Sequence, residues 1–376
     1  MNNHIYINDY SRISPIEDWA DGNGNIKTYN GLPVGRICDR DVQDLSQFLS
    51  ARPAYKKLDR SVQLALLAAS RLGPVDAGCG INVGSSRGAT GLWELYYDRF
   101  RESGIPKKLF PQTSPLTTLG NISSWVGQLL GTHGMAMSHS ITCATASHAI
   151  LNSIAWIESG MAACMVAGGS EAPLTDFTIN QMQALRIYSQ ENGEYSCRAL
   201  DLEKTRNQML LGEGAALFKL SKTQNHAIAR IIGYGTSIEK LHSATSVTAG
   251  GDGLQRSMRA AIAGIDMKSI DAIITHAPGT LKGDRAEVEA IRSVFGESYP
   301  KLMNNKWQIG HTLGASSAMS LAMILDLFSS EELENIPYLS NHFQNPRSDG
   351  RELRRVLINA TGFGGNAVSL LVEKCN

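Results

Sequence analysis

Cys143 sits in the run Ser140-Ile-Thr-Cys-Ala-Thr-Ala-Ser-His-Ala-Ile150, directly before an amphipathic helical stretch. Two histidines follow much later, in Gly-containing segments. His276 lies in Thr275-His-Ala-Pro-Gly-Thr-Leu-Lys-Gly-Asp284, and His311 in Lys306-Trp-Gln-Ile-Gly-His-Thr-Leu-Gly-Ala315. A thiol at a helix start together with two imidazoles is the equipment for acyl transfer through a thioester. A free thiol, with a pKa of ~8.5, is mostly protonated at neutral pH. At a helix N-terminus the macrodipole and unpaired N–H groups favour the thiolate, and the cysteine's own N–H can face a thioester oxygen. Position alone leaves a second reading equally open, because a lone cysteine is commonly a small buried hydrophobe. Each histidine, taken singly, reads more readily as a solvated or satisfied loop imidazole. His148, about a turn into the helix after Cys143, reads as structural.

The elements that must position these groups alternate in α/β style, with short Val/Ile/Ala strands, Ala-rich helices and Gly between them. Strands are expected at Ile5–Asn8, Gly80–Val83, Ala162–Ser170, Gly214–Leu220, Asp271–His276, Val356–Gly362 and Ala367–Glu373. Helices are expected over Asp59–Leu72, with Asp59 as N-cap, and over Ala144–Gly160, with Ile150, Ile154 and Ile157 on one face. Further helices are expected from Ala260 onward, over Asp284–Phe295, and over Ala315–Leu325, whose small residues imply close packing. His276 thus falls at a strand end, where functional groups of α/β folds gather. A boundary near Ser221–Asn225 divides the chain into halves of similar style, residues 1–222 with the cysteine and 223–376 with the histidines.

The 376 residues are ample for a large core. Lys plus Arg equals Asp plus Glu, at 35 each, so no basic excess points to nucleic acid. The first ten residues lack the pattern of a signal peptide, and no apolar run is long enough for a membrane span. Six scattered cysteines (38, 79, 143, 164, 197 and 375) show no metal-ligand spacing and read as reduced thiols of a cytoplasmic protein.

Taken in order, these segments resemble the elongating β-ketoacyl-acyl-carrier-protein synthases of the thiolase-like superfamily. The resemblance rests on Thr142-Cys-Ala-Thr-Ala146, Val166-Ala-Gly-Gly-Ser-Glu-Ala172, Arg198-Ala-Leu-Asp201 with Leu211-Gly-Glu-Gly214, and His276…Thr280…Asp284…Glu287. It continues through Lys306…Gly310-His-Thr-Leu-Gly-Ala315 and Asn359-Ala-Thr-Gly-Phe-Gly-Gly365, and is strong from about Asn121 to the end. The first hundred residues fit more loosely, through Lys56-Lys-Leu-Asp-Arg60 and Val83-Gly-Ser-Ser86. Three departures surround substrate-facing loops: His276-Ala-Pro-Gly-Thr280 for a His-Gly-Thr-Gly-Thr-like loop, Ala199 for the proline of Arg-Pro-x-Asp, and Arg206-Asn-Gln-Met209 for Arg-Asp-Gly-Phe. They put the ordinary fatty-acid substrate in doubt more than the chemistry. They fit a specialised polyketide or polyene ketosynthase, such as one of an aryl polyene or flexirubin-like pathway.

The resemblance implies a layered αβαβα fold built from two similar halves. It implies that Cys143 carries the acyl chain, that His276 and His311 polarise a malonyl thioester, and that Lys306 orients the second histidine's loop, with Glu287 as a polar partner. Cys143 and Phe363 would supply oxyanion N–H groups. Phe363 would gate the cysteine, Thr280 would meet substrate, and Glu287 and Asp284 would support the loop. No metal or redox cofactor is implied; phosphopantetheine arrives with an acyl carrier protein. Lys56, Lys57 and Arg206 are carrier-docking candidates, with ordinary solvated charge as the other reading. Trp125, Met135 and Met137 are candidates to bound the acyl pocket. The expected assembly is a homodimer, or a heterodimer with a related ketosynthase or chain-length-factor subunit. A non-catalytic chain-length-factor-like or scaffold role is the alternative, against which Cys143 argues. A thiolase would need a second reactive cysteine where Phe363 stands, and a priming synthase an Asn near His311.

Overall fold

The computed structural model describes residues 4–19, 24–104, 108–119, 121–240, 243, 247–330, 335–344 and 352–375. Its strands are β1 (Ile5–Ile13), β2 (Ile26–Tyr29), β3 (Leu32–Gly35), β4 (Gly80–Gly84), β5 (Ala136–Met137), β6 (Cys164–Glu171), β7 (Gly214–Ser221), β8 (Ala229–Ile238), β9 (Ala272–Ile274), β10 (Lys301–Met303), β11 (Arg355–Gly362) and β12 (Asn366–Lys374). The helices are α1 (Asp39–Ala51), α2 (Arg60–Ser70), α3 (Thr90–Glu102), α4 (Thr113–Thr117), α5 (Asn121–Leu130), α6 (Thr145–Glu158), α7 (Asp176–Ala184), α8 (Asp252–Ala261), α9 (Leu281–Phe295), α10 (Lys306–Ile309), α11 (Ser316–Ser330) and α12 (Asn341–Gln344).

Ten strands run in the order β10-β9-β11-β12-β8-β1-β7-β6-β4-β5. The order hides a repeat. Outward from β1, the arm β1-β7-β6-β4-β5 is antiparallel, antiparallel, parallel, parallel. Outward from β8, the arm β8-β12-β11-β9-β10 has the same sequence of pairings. Among the described residues the strands of the two arms pair only through the short register Ile5–Ile7 against Ala229–Ile231. This is the two-halved, thiolase-like arrangement expected from sequence.

Helices α6 and α11 pack on each other between the arms. Ile150, Ile154 and Ile157 of α6 join Ala318, Leu321 and Ile324 of α11 in one core with residues of both arms. Full burial of an isoleucine side chain contributes roughly 1.5–3 kcal/mol, so this middle layer fixes where the two helices begin. Helices α2 and α5 cover the outside of the first arm, and α8 and α9 that of the second. Asp59 caps α2 by accepting from the Ser61 N–H at 2.8 Å, as its position suggested.

Three expectations need correction. The helix expected from Ala260 onward instead ends at Ala261, having begun at Asp252 behind the left-handed Gly251 (φ 59°). Its start lies in Gly250-Gly-Asp-Gly253, a run that reads locally as a turn. Helix α9 begins at Leu281, ahead of Asp284, because the Thr280 hydroxyl accepts from the Gly283 N–H. Cys79 and Cys164 are not separate thiols: they pair as a disulfide, brought together 85 residues apart where β4 lies beside β6. Cys38, Cys143, Cys197 and Cys375 are unpaired. Among the described residues no helix is long and apolar enough to cross a membrane.

Candidate active site

The chemistry gathers where the two central helices begin. Cys143 lies in the turn entering α6 and is 8% exposed. Thr142 before it adopts φ 48°, and its carbonyl accepts from the Thr145 hydroxyl at 2.5 Å. On the other arm His311 lies in the turn entering α11. Its N–H donates to Leu210 O at 2.7 Å, and its carbonyl accepts from Gly212 N–H at 3.1 Å. The Leu211-Gly-Glu-Gly214 segment therefore clamps the second histidine. It can come this close because Gly310 (φ 73°) has no side chain: a Cβ there would sit 2.5 Å from Leu210 Cδ1 and 2.8 Å from the Leu211 carbonyl carbon.

His276 follows β9 and is held by buried carboxylates. Glu287 accepts from the His276 N–H at 2.9 Å, the Ala277 N–H at 2.6 Å and Asn359 Nδ2 at 3.1 Å. Asp284 accepts from the Gly279 and Thr280 N–H groups, both at 3.1 Å, and from Leu200 N–H at 2.9 Å. Its charge is paired with Lys204 at 2.7 Å in an ion pair almost wholly out of solvent. The Arg198–Lys204 segment thus braces the first histidine loop. The two imidazoles lie 5.1 Å apart, centre to centre, nearly perpendicular at 85°. A cavity of about 480 Å³ is lined by Cys143, His276, His311 and Phe363 together. Thr280, Glu287, Asn207 and Lys282 also border it.

Burial dominates the electrostatics. It pushes the Cys143 thiol up to about 12; Glu171 adds to this, and Lys306 and Arg87 oppose it. Burial thus opposes the thiolate that the helix start favours. Burial, then Lys306, brings His311 down to about 3. Burial, then His311 and Lys306, puts His276 well below its ordinary value. Lys306, 1% exposed, is lowered to about 8 by burial, against the attraction of Glu287. No ion pair joins Lys306 to Glu287 among the described residues. The resting site therefore holds a neutral thiol and two neutral imidazoles, each able to donate one N–H.

Some of the remaining sequence candidates lie away from the cavity. The cavity's apolar wall is Met182, Leu185, Ile187, Met209 and Leu313, not Trp125, Met135 or Met137. Trp125 packs edge-on against Tyr55 in the outer helical layer. Ala144 and Ala146, which follow the thiol, are buried in the layer between the arms. Lys56 and Lys57 end a short 3-10 helix and do not line the cavity. Arg206 adjoins cavity-lining Asn207 and pairs with Glu191 at 3.3 Å. His148 lies within α6 and lines no part of the cavity.

Sequence reasoning missed Lys204, Asn304 and the role of Glu171. Asn304 ties β10 to the His276 loop through Thr275 Oγ1 and Ala277 O, both at 3.0 Å. Glu171 is fully buried and accepts from the Ser85 hydroxyl (2.9 Å) and the N–H groups of Ser86 (2.7 Å), Arg87 (3.2 Å) and Gly314 (2.9 Å). It joins the end of β4 to the start of α11, next to the thiol. The signal was present: a carboxylate inside an apolar strand must find partners.

Comparison with known proteins agrees with this geometry. Residues 35–226 match the beta-ketoacyl synthase N-terminal domain, and residues 228–334 match the C-terminal domain. The chain is 28% identical to the 3-oxoacyl-[acyl-carrier-protein] synthase 2 of Staphylococcus aureus over 421 aligned positions, spanning 100% of this chain and 99% of that protein. Its fold superposes on the ishigamide ketosynthase/chain length factor with TM-score 0.83 at 20% identity, covering 100% of both chains. A ketosynthase in complex with its chain length factor from Xenorhabdus doucetiae gives TM-score 0.76 at 21% identity, over 99% of this chain and 98% of that one. With a thiol and two neutral imidazoles in one cavity on this duplicated fold, the chain belongs to the beta-ketoacyl synthase family of acyltransferases.

Proposed function

We propose that this chain catalyses decarboxylative Claisen condensation on carrier-bound substrates. The observation that carries the reading is the single cavity shared by Cys143, His276, His311 and Phe363. In the first step Cys143 attacks an acyl-carrier thioester; the sulfur–acyl bond forms and the carrier leaves as its thiol, taking the cysteine proton. The N–H groups of Cys143 and Phe363 hold the developing oxyanion. Gly362 supports this, since a Cβ there would lie only 3.0 Å from Cys143 N. In the second step malonyl-carrier protein loses CO₂. His276 and His311 donate Nε2–H to its thioester carbonyl and stabilise the enolate, which attacks acyl-Cys143 and expels the cysteine thiolate, and a proton from solvent restores the thiol. The product is a β-ketoacyl-carrier protein two carbons longer.

Residues 1–222 supply the nucleophile and 223–376 the histidines. Lys306 orients the second histidine from its buried site. Glu287 and Asp284 hold the first histidine loop, and Thr280 meets the phosphopantetheine arm that the carrier protein brings. Arg206 greets the acidic carrier near the mouth, and Lys282 is the better-placed companion to it than Lys56 or Lys57. The departures in the His276 and Arg206 segments favour a polyketide or polyene chain over a housekeeping fatty acid, in the cytoplasm.

The exposed strand β5 ends the first arm with an unpaired edge, which supports assembly with a second copy or a related chain-length-factor-like subunit. The ketosynthase–chain length factor neighbours support the same reading. The test is mass spectrometry of the carrier protein after incubation with acyl- and malonyl-carrier proteins. A product two carbons longer is expected. If it forms only when a related subunit is added, the heterodimer is required; no product under either condition would defeat the proposal.

A further inference from the structure

The turn that carries Phe363 is tied directly to the nucleophile loop by one side chain. The Thr142 hydroxyl donates to Phe363 O at 3.1 Å, across 221 residues of chain. Thr142 is held at φ 48°, a left-handed conformation that a β-branched residue rarely adopts. Its backbone is fixed from behind, where Thr145 donates twice to Thr142 O, through its N–H at 3.3 Å and its hydroxyl at 2.5 Å. The strained backbone leaves the hydroxyl aimed at the turn.

The turn is glycine-rich on both sides of the aromatic ring. Gly364 (φ 90°) and Gly365 (φ 79°) follow Phe363, which is 40% exposed although Cys143 beneath it is buried. Gly362 makes room for the contact, because a Cβ there would lie 1.9 Å from Thr142 Oγ1. Within the turn Gly365 N–H donates to Gly362 O at 3.2 Å, and Glu239 N–H secures its far side by donating to Gly365 O at 2.9 Å.

We propose that Thr142 is a positioning residue that latches the Phe363 turn closed over Cys143. Breaking its hydrogen bond is part of opening the thiol to an incoming acyl group. The latch rests on the reading of Phe363 as a gate, but not on the acyl chemistry.

The test is therefore independent of any carrier protein. Iodoacetamide alkylation of Cys143 is followed by peptide mass spectrometry, which separates it from the other unpaired cysteines. Loss of one neutral hydrogen bond predicts that Thr142→Ala alkylates roughly 3- to 10-fold faster than the parent. Thr142→Ser, which keeps the hydroxyl, should stay within about twofold of the parent. The gain should be the same factor at every pH, because the latch changes access and not the thiol's proton affinity. A melting curve for each variant excludes general loosening. An alanine variant no faster than the parent, a serine variant as fast as alanine, or a gain that changes with pH would overturn the latch. Failure of the condensation assay with this pattern intact would sink the proposed reaction and leave the latch standing.

Discussion

The two arms share strand order, pairing and helix placement, yet their chemical ends differ. Helix α6 follows β5 with Cys143 in its entry turn, and α11 follows β10 with His311 in its own. The end of β4 offers Ser85, Ser86 and Arg87 to a carboxylate, while the end of β9 offers His276. Between β6 and β7 lie residues 172–213, which build most of the cavity's apolar wall; between β11 and β12 lie only Phe363–Gly365. A repeated scaffold brings two helix starts together, and divergence at matching positions gives one a thiol and the other an imidazole. The same comparison explains Glu171: it ends β6 where Gly362 ends β11, and it ties the end of β4 to the start of α11.

The division of labour is broken most severely at the histidines. His276→Ala and His311→Ala should each reduce malonyl decarboxylation by about 100-fold or more, while leaving acyl transfer to Cys143 detectable. Loss of both steps together in either variant would mean that the arms do not act separately.

Much of this division was legible in the residues. The spacing of Ile150, Ile154 and Ile157 placed α6, and the Gly-containing run around His311 is the one that lets Leu210 and Leu211 pass close. What stayed hidden depended on distance in space. Cys79 and Cys164 meet only through strand pairing, and Met182 and Met209 reach the cavity from a long connection that carries no periodic pattern. The thiol's proton affinity followed burial, which no local run of residues expresses. Lys204 looked like any surface lysine until Asp284 supplied its partner.

That buried pair provides the next test. Lys204→Met would leave Asp284 charged and unpaired, and should destabilise the protein by ~3–5 kcal/mol in urea unfolding. A change below ~1 kcal/mol would show that the carboxylate is sustained by its backbone N–H donors alone.

Glu171 sharpens the comparison through pH. Burial raises its carboxyl from 4.5 to about 7, against the pull of its four hydrogen-bond donors. The folded protein thus holds this proton more tightly than the unfolded chain. Its contribution to stability is fully present below pH ~4.5 and is lost as pH rises through ~7, by roughly 3 kcal/mol. Glu171→Gln should flatten that part of the stability–pH curve; parallel curves for parent and variant would remove Glu171 as the titrating joint. The smallest effect is expected at the surface. Arg206→Ala should cost less than ~1 kcal/mol, since its ion pair with Glu191 is exposed. Its docking role predicts a higher KM for carrier-bound substrate with kcat unchanged, and an unaltered KM would assign Arg206 to ordinary solvated charge.

Intact-protein mass spectrometry after exposure to an acyl-carrier protein tests the central claim most directly. The parent and the His276→Ala/His311→Ala variant should both gain one acyl mass, mapped to Cys143, and Cys143→Ala should gain none. An unmodified parent protein, in a reaction where a control synthase is loaded by the same carrier, would contradict the account.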